Sequence, residues 1–253
     1  MISIENIKIN LNTEFIGHKI HYIDETHSTN DDIWSCFKNN EPEGTLVITS
    51  HQIKGRGRRN SIWSSTLNKS LTFSFLLLPN KNLEHLSLLP LLTGVSIIKG
   101  IKNITKIKLG LKWPNDIMAD KQKIGGILIE SNTHNDQLGI VIGIGINVNE
   151  DEYDIPSEIR KKSSSLNIYS GKEFDLSLIL SSILNEFENL YVNDWNKVIK
   201  LWQQNCMHDN NEITFHDNEQ YIKGKFVGIT NSGHAKIQLN DKLKTFSSGM
   251  IIV

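Results

Sequence analysis

The chain has 253 residues, enough for one large domain and a small one. Lys and Arg total 27 against 28 Asp and Glu, so no global charge draws it to nucleic acid or a membrane surface. Its two cysteines, Cys36 and Cys206, lie far apart without a CxxC, which argues against a disulfide framework and fits a reducing cytoplasm.

From Met1 to Glu14 apolar and polar residues alternate, without the continuous apolar run of a signal peptide. His18 to Glu25 alternates like a strand. Ser28-Thr29-Asn30-Asp31-Asp32 then offers several caps to a helix carrying Ile33, Trp34 and Phe37. Gly44 to Thr49 and Leu71 to Leu78 read as strands, and Leu83 to Ile101 carries a helical pattern with Pro90 in its first turns. The apolar stretch from Leu86 is broken by Pro90 and Lys99 and is too short to span a bilayer. Ile107 to Trp113 returns as a strand that stops at Pro114. A polar Asp120-Lys121-Gln122 turn opens two consecutive strands, Lys123 to Glu130 and Leu138 to Asn147. Asp175 caps a long helix with Leu176, Ile179, Leu180, Ile183, Leu184, Phe187 and Leu190 on one face, and a second helix runs through Val198, Leu201 and Trp202. From Ile213 the pattern changes to short strands with turns at Asn231-Ser232-Gly233 and Asn240-Asp241, a tail that reads as a small β barrel.

The densest feature is Gln52-Ile53-Lys54-Gly55-Arg56-Gly57-Arg58-Arg59-Asn60-Ser61-Ile62-Trp63. Its glycines let the backbone approach a ligand, Arg56, Arg58 and Arg59 offer donor forks to phosphate or carboxylate, and Trp63 offers a flat face to a heterocycle. A solvated basic turn is the plain alternative. It is not a P-loop, because no Gly-Lys-Ser/Thr follows, and it lacks the third glycine of a dinucleotide fingerprint.

Three further clusters follow. Lys112-Trp113-Pro114-Asn115-Asp116 delivers polar groups to a strand end, although an ordinary strand-turn-strand has the same pattern. Lys123 opens a strand beside Gly125-Gly126, where a ligand can approach closely, or it is a solvated hairpin lysine. Gly143-Ile144-Gly145-Ile146-Asn147 leaves a gap on one face of a sheet, to be filled by a helix or a ligand. His18 and His21 point to opposite faces of their strand, and no Cys/His/Asp set completes a protein metal site. No Gly-x-Ser-x-Gly elbow occurs. Cations for phosphates, an Asn/Asp segment and a lysine on an open strand are the set needed to activate a carboxylate with ATP, because two anions must be brought together.

The Gly55-Arg56-Gly57-Arg58-Arg59 run with Gln52 and Trp63 resembles the signature of the biotin protein ligases. Ser28-Thr29-Asn30, Lys112-Trp113-Pro114-Asn115-Asp116, Lys123 with Gly126-Ile127-Leu128, and Gly143-Ile144-Gly145-Ile146-Asn147 resemble that family's other blocks, in order. The resemblance implies an α+β fold, a mixed or antiparallel sheet packed by helices and related to the class II aminoacyl-tRNA synthetases. Residues 1–205 would form the catalytic domain and 206–253 an SH3-like β barrel.

By the same resemblance, biotin and ATP form biotinyl-5'-AMP with release of pyrophosphate, and biotin then passes to a lysine of a biotin carboxyl carrier protein, such as an acetyl-CoA carboxylase subunit. Ser28, Thr29, Asn30, Gln52, Gly55, Arg56, Arg58, Lys123, Gly126 and Gly143 would contact biotin or its activated carboxyl. Arg58, Arg59, Trp63, Lys112, Asn115, Asp116 and Asn147 would serve the nucleotide, with Mg2+ accompanying ATP. Lys123 and Arg58 would carry the catalytic charge.

Two departures stand out. Fewer than thirty residues precede Ser28, so a helix-turn-helix domain of the kind found in repressor members, and with it DNA binding, is not expected. The chain ends at Met250-Ile251-Ile252-Val253 without the arginine that assists the nucleotide in the bifunctional type. A lipoate–protein ligase is the nearest rival, and a nucleic-acid module using the basic loop is a non-enzymatic one disfavoured by the near-zero charge. Nothing in the residues selects between monomer and homodimer.

Overall fold

The computed structural model describes residues 2–79, 85–217, 220–240 and 242–252. In chain order the first elements are α1 (Ile4–Asn10), β1 (Ile20–Thr26), α2 (Thr29–Lys38), β2 (Leu46–Gln52), the short strands β3 (Gly55–Arg56) and β4 (Ile62–Trp63), and β5 (Ser70–Leu77). Next come α3 (Leu89–Thr105), β6 (Gly110–Lys112), β7 (Asp116–Ala119), β8 (Gln122–His134) and β9 (Gln137–Asn147). They are followed by α4 (Leu166–Ser170), α5 (Leu176–Asn193) and α6 (Trp195–Gln204). Five strands close the chain: β10 (Glu212–His216), β11 (Tyr221–Ile229), β12 (Ala235–Leu239), β13 (Lys242–Phe246) and β14 (Met250–Ile252).

Seven strands make one mixed sheet in the order β1-β2-β5-β9-β8-β7-β6. Only β1 and β2 run parallel; the other neighbours are antiparallel. Strand β5 is buried along its whole length, and β9 from Gly139 to Ile146, which explains their near-continuous apolar sequences. One face carries the large core, where Phe75 meets Phe187 of α5 edge to face. The other face holds a small cluster in which Ile33 and Phe37 of α2 press on Val47, Leu76 and Val141. Helix α2 is only ten residues long, so it covers part of that face and leaves the rest open.

Local signals account for most element ends. The Asp175 carboxylate accepts from the backbone N–H of Ser177 at 2.7 Å and caps α5 as its sequence suggests. A 3-10 turn over Leu86–Leu88 leads into α3, with Pro90 at its start. Leu83, the start expected from the pattern, lies outside the described residues. Two elements were not read from the sequence. The alternating N-terminus forms helix α1, capped by Ser3 and anchored by the buried Ile7; Ile4 and Ile7, three apart, share a helical face where alternation would set them on opposite ones. After β6 the chain turns back through Trp113 and Pro114 as β7, so Lys112 lies directly opposite Asp116.

The C-terminal strands form an antiparallel sheet in the order β13-β12-β11-β10-β14. The turn at Asn231–Gly233 is present, whereas Asp241 of the second expected turn lies outside the described residues. This sheet is stitched to the first one. Asn205 to Met207 runs beside Leu111, accepting its N–H at 2.8 Å and donating to its carbonyl at 3.0 Å. The Trp113 indole N–H donates to the Gly233 carbonyl at 3.0 Å, and its ring faces Phe215. Among the described residues no helix is long and apolar enough to cross a membrane.

Candidate active site

The floor of the open sheet face is set by strand register. Thr72, Gly145, Gly126 and Asp116 form one lateral row across β5, β9, β8 and β7. Ser74, Gly143 and Leu128 form the next row. Over each of the three glycines a single side chain reaches in. A Cβ on Gly143 would lie 2.1 Å from Asn30 Oδ1, and one on Gly145 only 2.3 Å from the Trp63 ring. A Cβ on Gly126 would lie 3.2 Å from Lys123 Nζ. The gap over the glycine strand is therefore filled by a carboxamide from α2 and an indole from the basic loop.

Asn30 is held by a buried network. The Ser74 hydroxyl donates to Asn30 Oδ1 at 2.6 Å and accepts from Thr29 Oγ1 at 2.7 Å. Asn30 Nδ2 and the Trp34 indole N–H both donate to the Glu130 carboxylate, at 3.0 and 3.1 Å. Gln52 Oε1 accepts the Thr29 N–H at 2.8 Å and so takes over the capping of α2. Ser28, the N-cap residue, makes no side-chain capping bond, and the residue lines the cavity.

Lys123 owes its position to a bulge. Between β7 and β8 the register slips, so that Gly125 faces Ile117 while Lys123 faces Met118, with Ile124 as the extra residue. In a regular strand residues three apart point to opposite faces. The bulge reverses that phase, turning Ile124 into the core and laying Lys123 over Gly126. Its ammonium meets Asp116 Oδ1 at 2.5 Å, and Lys112 stands 3.9 Å from the other oxygen. Burial holds the Lys112 ammonium below its ordinary range against the pull of Asp116.

The basic loop closes the far side. Arg58 is half-buried and reaches Asn115 Oδ1 at 3.4 Å, while Asn115 Nδ2 donates to the Ile127 carbonyl at 2.7 Å. Burial, and then the neighbouring Arg59, hold the Arg58 guanidinium below its usual value. Arg59 adopts a left-handed backbone at φ 55°. Two adjacent cations, one of them half-buried, make this a place that favours an anion. The buried Trp63 Nε1 and Thr72 Oγ1 have no hydrogen-bond partner among the described residues, and both residues border the cavity.

The cavity measures about 530 Å3, within the range of small-molecule sites. It gathers Ser28, Thr29, Asn30, Gln52, Arg56, Arg58, Lys123, Gly126 and Gly143 from the expected biotin set. From the nucleotide set it gathers Arg59, Trp63, Lys112, Asn115 and Asp116. Gly55 and Asn147 stand outside the lining. Gly55 pairs with Trp63 and packs so tightly against Gln52 that a Cβ would sit 2.6 Å from its amide nitrogen. Asn147 Nδ2 donates to the Ser164 carbonyl at 2.9 Å, fastening the segment whose Lys162 and Ser164 bond the backbone of Lys123. Sequence reasoning missed Thr72, Ser74 and Glu130, which read as ordinary strand residues. It also missed His216, Gly249 and Met250, through which the C-terminal sheet borders the cavity.

Known proteins share both the sequence and the fold of this chain. Residues 22–147 match the Biotin/lipoate A/B protein ligase family, and residues 210–253 match the Biotin protein ligase C terminal domain. The chain is 31% identical to the bifunctional ligase/repressor BirA of Bacillus subtilis, over 99% of this chain and 78% of that protein. The chain belongs to the biotin protein ligase family. A family member of solved structure, the biotin protein ligase from Aquifex aeolicus in complex with biotin and ATP, superposes with a TM-score of 0.76. It is 31% identical, with 93% of this chain and 98% of that one covered. The biotin--[acetyl-CoA-carboxylase] ligase of Mycobacterium tuberculosis is 28% identical over 65% of this chain and 60% of its own length. The family's α+β core and small C-terminal β domain are those expected from the sequence.

Proposed function

We propose that this chain activates biotin with ATP and transfers it to a lysine of a biotin carboxyl carrier protein, an acetyl-CoA carboxylase subunit or a similar one. A biotin carboxylate oxygen attacks the α-phosphorus, the bond to the β-phosphate breaks, and pyrophosphate leaves with the electron pair. The carrier amine then attacks the acyl carbon, forming an amide and expelling AMP, with the amine proton passing to solvent. The observation that carries this reading is that one cavity brings Lys123 together with the neutral polar groups at the start of α2 and with the cations Arg58, Arg59 and Lys112.

The neutral end, Ser28, Thr29, Asn30 and Gln52, suits an uncharged heterocycle rich in N–H and C=O groups. Gly143 supports it by leaving room for Asn30. Lys123 and Arg58 supply fixed charge where carboxylate meets α-phosphate. Trp63, Asn115 and Asp116 serve the nucleotide, and Arg56 closes over the product. Gly55 and Asn147 act by placing Gln52 and the Lys123 strand. Mg2+ would arrive on the triphosphate. Asp116 is the one carboxylate among the described lining residues and is engaged by lysines, so phosphate oxygens and water would fill most of the ion's shell. When bound, the ion would neutralise phosphate charge. Residues 1–205 form the catalytic unit and 206–253 the SH3-like one, and two free thiols, Cys36 and Cys206, support a cytoplasmic setting.

The test is mass spectrometry of a carrier domain after incubation with the protein, ATP and either biotin or lipoate. A biotin adduct on one lysine, dependent on ATP, is expected. A lipoyl adduct, or none from either acid, would overturn the assignment.

A further inference from the structure

Helix α2 has two ends, and only its first turn serves the cavity. At the other end the fold assembles a second cluster. His21 of β1, Cys36 in the last turn of α2 and Glu41 in the turn beyond it bring Nε2, Sγ and a carboxylate oxygen within 4.8 Å of one another. His21 Nε2 lies 2.8 Å from Glu41 Oε2. His18, which precedes β1, turns instead to the Thr13 carbonyl, at 2.8 Å.

From this geometry we infer that His21, Cys36 and Glu41 bind one soft divalent cation of the zinc class, away from the biotin and nucleotide cavity. Tetrahedral zinc with bonds of about 2.0–2.3 Å keeps its ligand atoms about 3.3–3.6 Å apart. The three donors, already within 4.8 Å of one another, are on the order of 1 Å from that spacing, and water would take the fourth position. The backbone holds them in place, since the Glu41 N–H donates to the Cys36 carbonyl at 3.1 Å. The site sits at the carbonyl end of α2, where the helix dipole favours a cation. Lys19 occupies the other Glu41 oxygen, Oε1, at 3.2 Å, which leaves Oε2 directed inward as a single-oxygen ligand.

Charge also balances. Thiolate and carboxylate match a divalent ion, and the outer Lys19 is offset by Asp32, one turn before Cys36 on α2. Burial, and then Glu41, push the free thiol up to about 11, so the Cys36 proton passes to solvent as the metal binds. The His21 side chain is 38% exposed, which gives the ion a way in. A bound cation would fasten the end of α2 to the edge strand of the sheet and so brace the helix whose first turn carries Thr29 and Asn30.

Co2+ titration followed by absorbance tests the site without reference to catalysis. The full chain should take up one Co2+ with a near-ultraviolet thiolate charge-transfer band, and one equivalent of Zn2+ should abolish it. Cys36→Ser should lose the band, and His21→Gln and Glu41→Gln should weaken uptake at least tenfold, with folding checked by circular dichroism. Cys206 lies 3.6 Å from His208 and is the competing thiol, so Cys206→Ser should keep the band. Absence of a band in folded wild type at millimolar Co2+ would overturn the inference. So would a band that survives in the Cys36 variant.

Discussion

Arg56 clasps Asp31 at two points, its Nη1 and Nη2 meeting the two carboxylate oxygens at 2.7 and 2.6 Å. The pair joins the basic loop, whose Arg56 lines the cavity, to the first turn of α2. The guanidinium holds the Asp31 carboxyl below its ordinary range, and Glu130 stands 3.7 Å away as a second anion. Both partners are about half exposed, and such a pair contributes at most about 1 kcal/mol. That weakness suits a latch that must open on every turnover.

Opening the latch should release the activated intermediate. Arg56→Gly and Asp31→Asn are expected to label bystander lysines on serum albumin several-fold more than wild type does, while adenylate synthesis persists. The readout is a biotin blot after incubation with ATP and biotin. Albumin labelling at the wild-type level in both variants would remove the clasp from this role.

Lys123→Ala should depress adenylate formation by about 10²–10³ while leaving the fold intact, because one preorganised charge is lost where two anions meet. The measurement is pyrophosphate exchange with circular dichroism as the folding control. A rate within a few-fold of wild type would show that Lys123 serves Asp116 and not the substrate.

A methyl group on Gly145 would stand 2.3 Å from the Trp63 ring, so Gly145→Ala must push the indole off the sheet. We expect KM for ATP to rise about tenfold or more with a smaller change in the biotin KM, together with a shifted tryptophan emission. Equal effects on both substrates would mean that Trp63 does not face the nucleotide.

Glu150 gives a pH prediction. It is buried behind the end of β9, with one oxygen bonded by the Ser70 hydroxyl and the other without a partner among the described residues. Burial pushes its carboxyl up to about 7 from an ordinary 4.5. The native state therefore holds a proton that the unfolded chain has already lost. Its contribution is complete below pH 4.5, falls by about 1.4 kcal/mol per pH unit as pH rises toward 7, and is constant above that. Glu150→Gln, always neutral, should gain on wild type across that window and be the more stable protein above pH 7. Parallel urea-denaturation curves from pH 5 to 8 for the two proteins would contradict this.

Much of the site was legible because its chemistry sits in contiguous blocks. The Gly/Arg loop, the Lys-Trp-Pro-Asn-Asp turn and the glycine strand each announce a local conformation that the fold keeps. What could not be read depends on pairing between distant strands. Lys123 and Gly126 share a face only because of the bulge at Ile124, and nothing in that stretch alone dictates a bulge. Asn30 and Trp63 fill the gaps over Gly143 and Gly145 from elements far away in sequence, so the sequence showed a vacancy but not its occupants. Glu130 reads as the tail of a strand, and only the fold brings Asn30 and Trp34 to donate to it. Helix α1 was missed because Ile2 with Ile4 and Ile7 with Ile9 alternate, and only the pair Ile4 and Ile7 carries the helical spacing.

The seam at Leu111 and Trp113 bears on how the molecule can be cut. Asn205 to Met207 covers the outer edge of β6, and the Trp113 indole is spent on the Gly233 carbonyl. A fragment truncated at residue 205 would bare an unpaired strand edge beside a large aromatic ring, the combination that recruits neighbouring chains into aggregates. Grafting the C-terminal segment of a relative onto this core would succeed only if the donor's turn aims a backbone carbonyl at the Trp113 indole, as Gly233 does here, and brings an extended stretch matching 205–207.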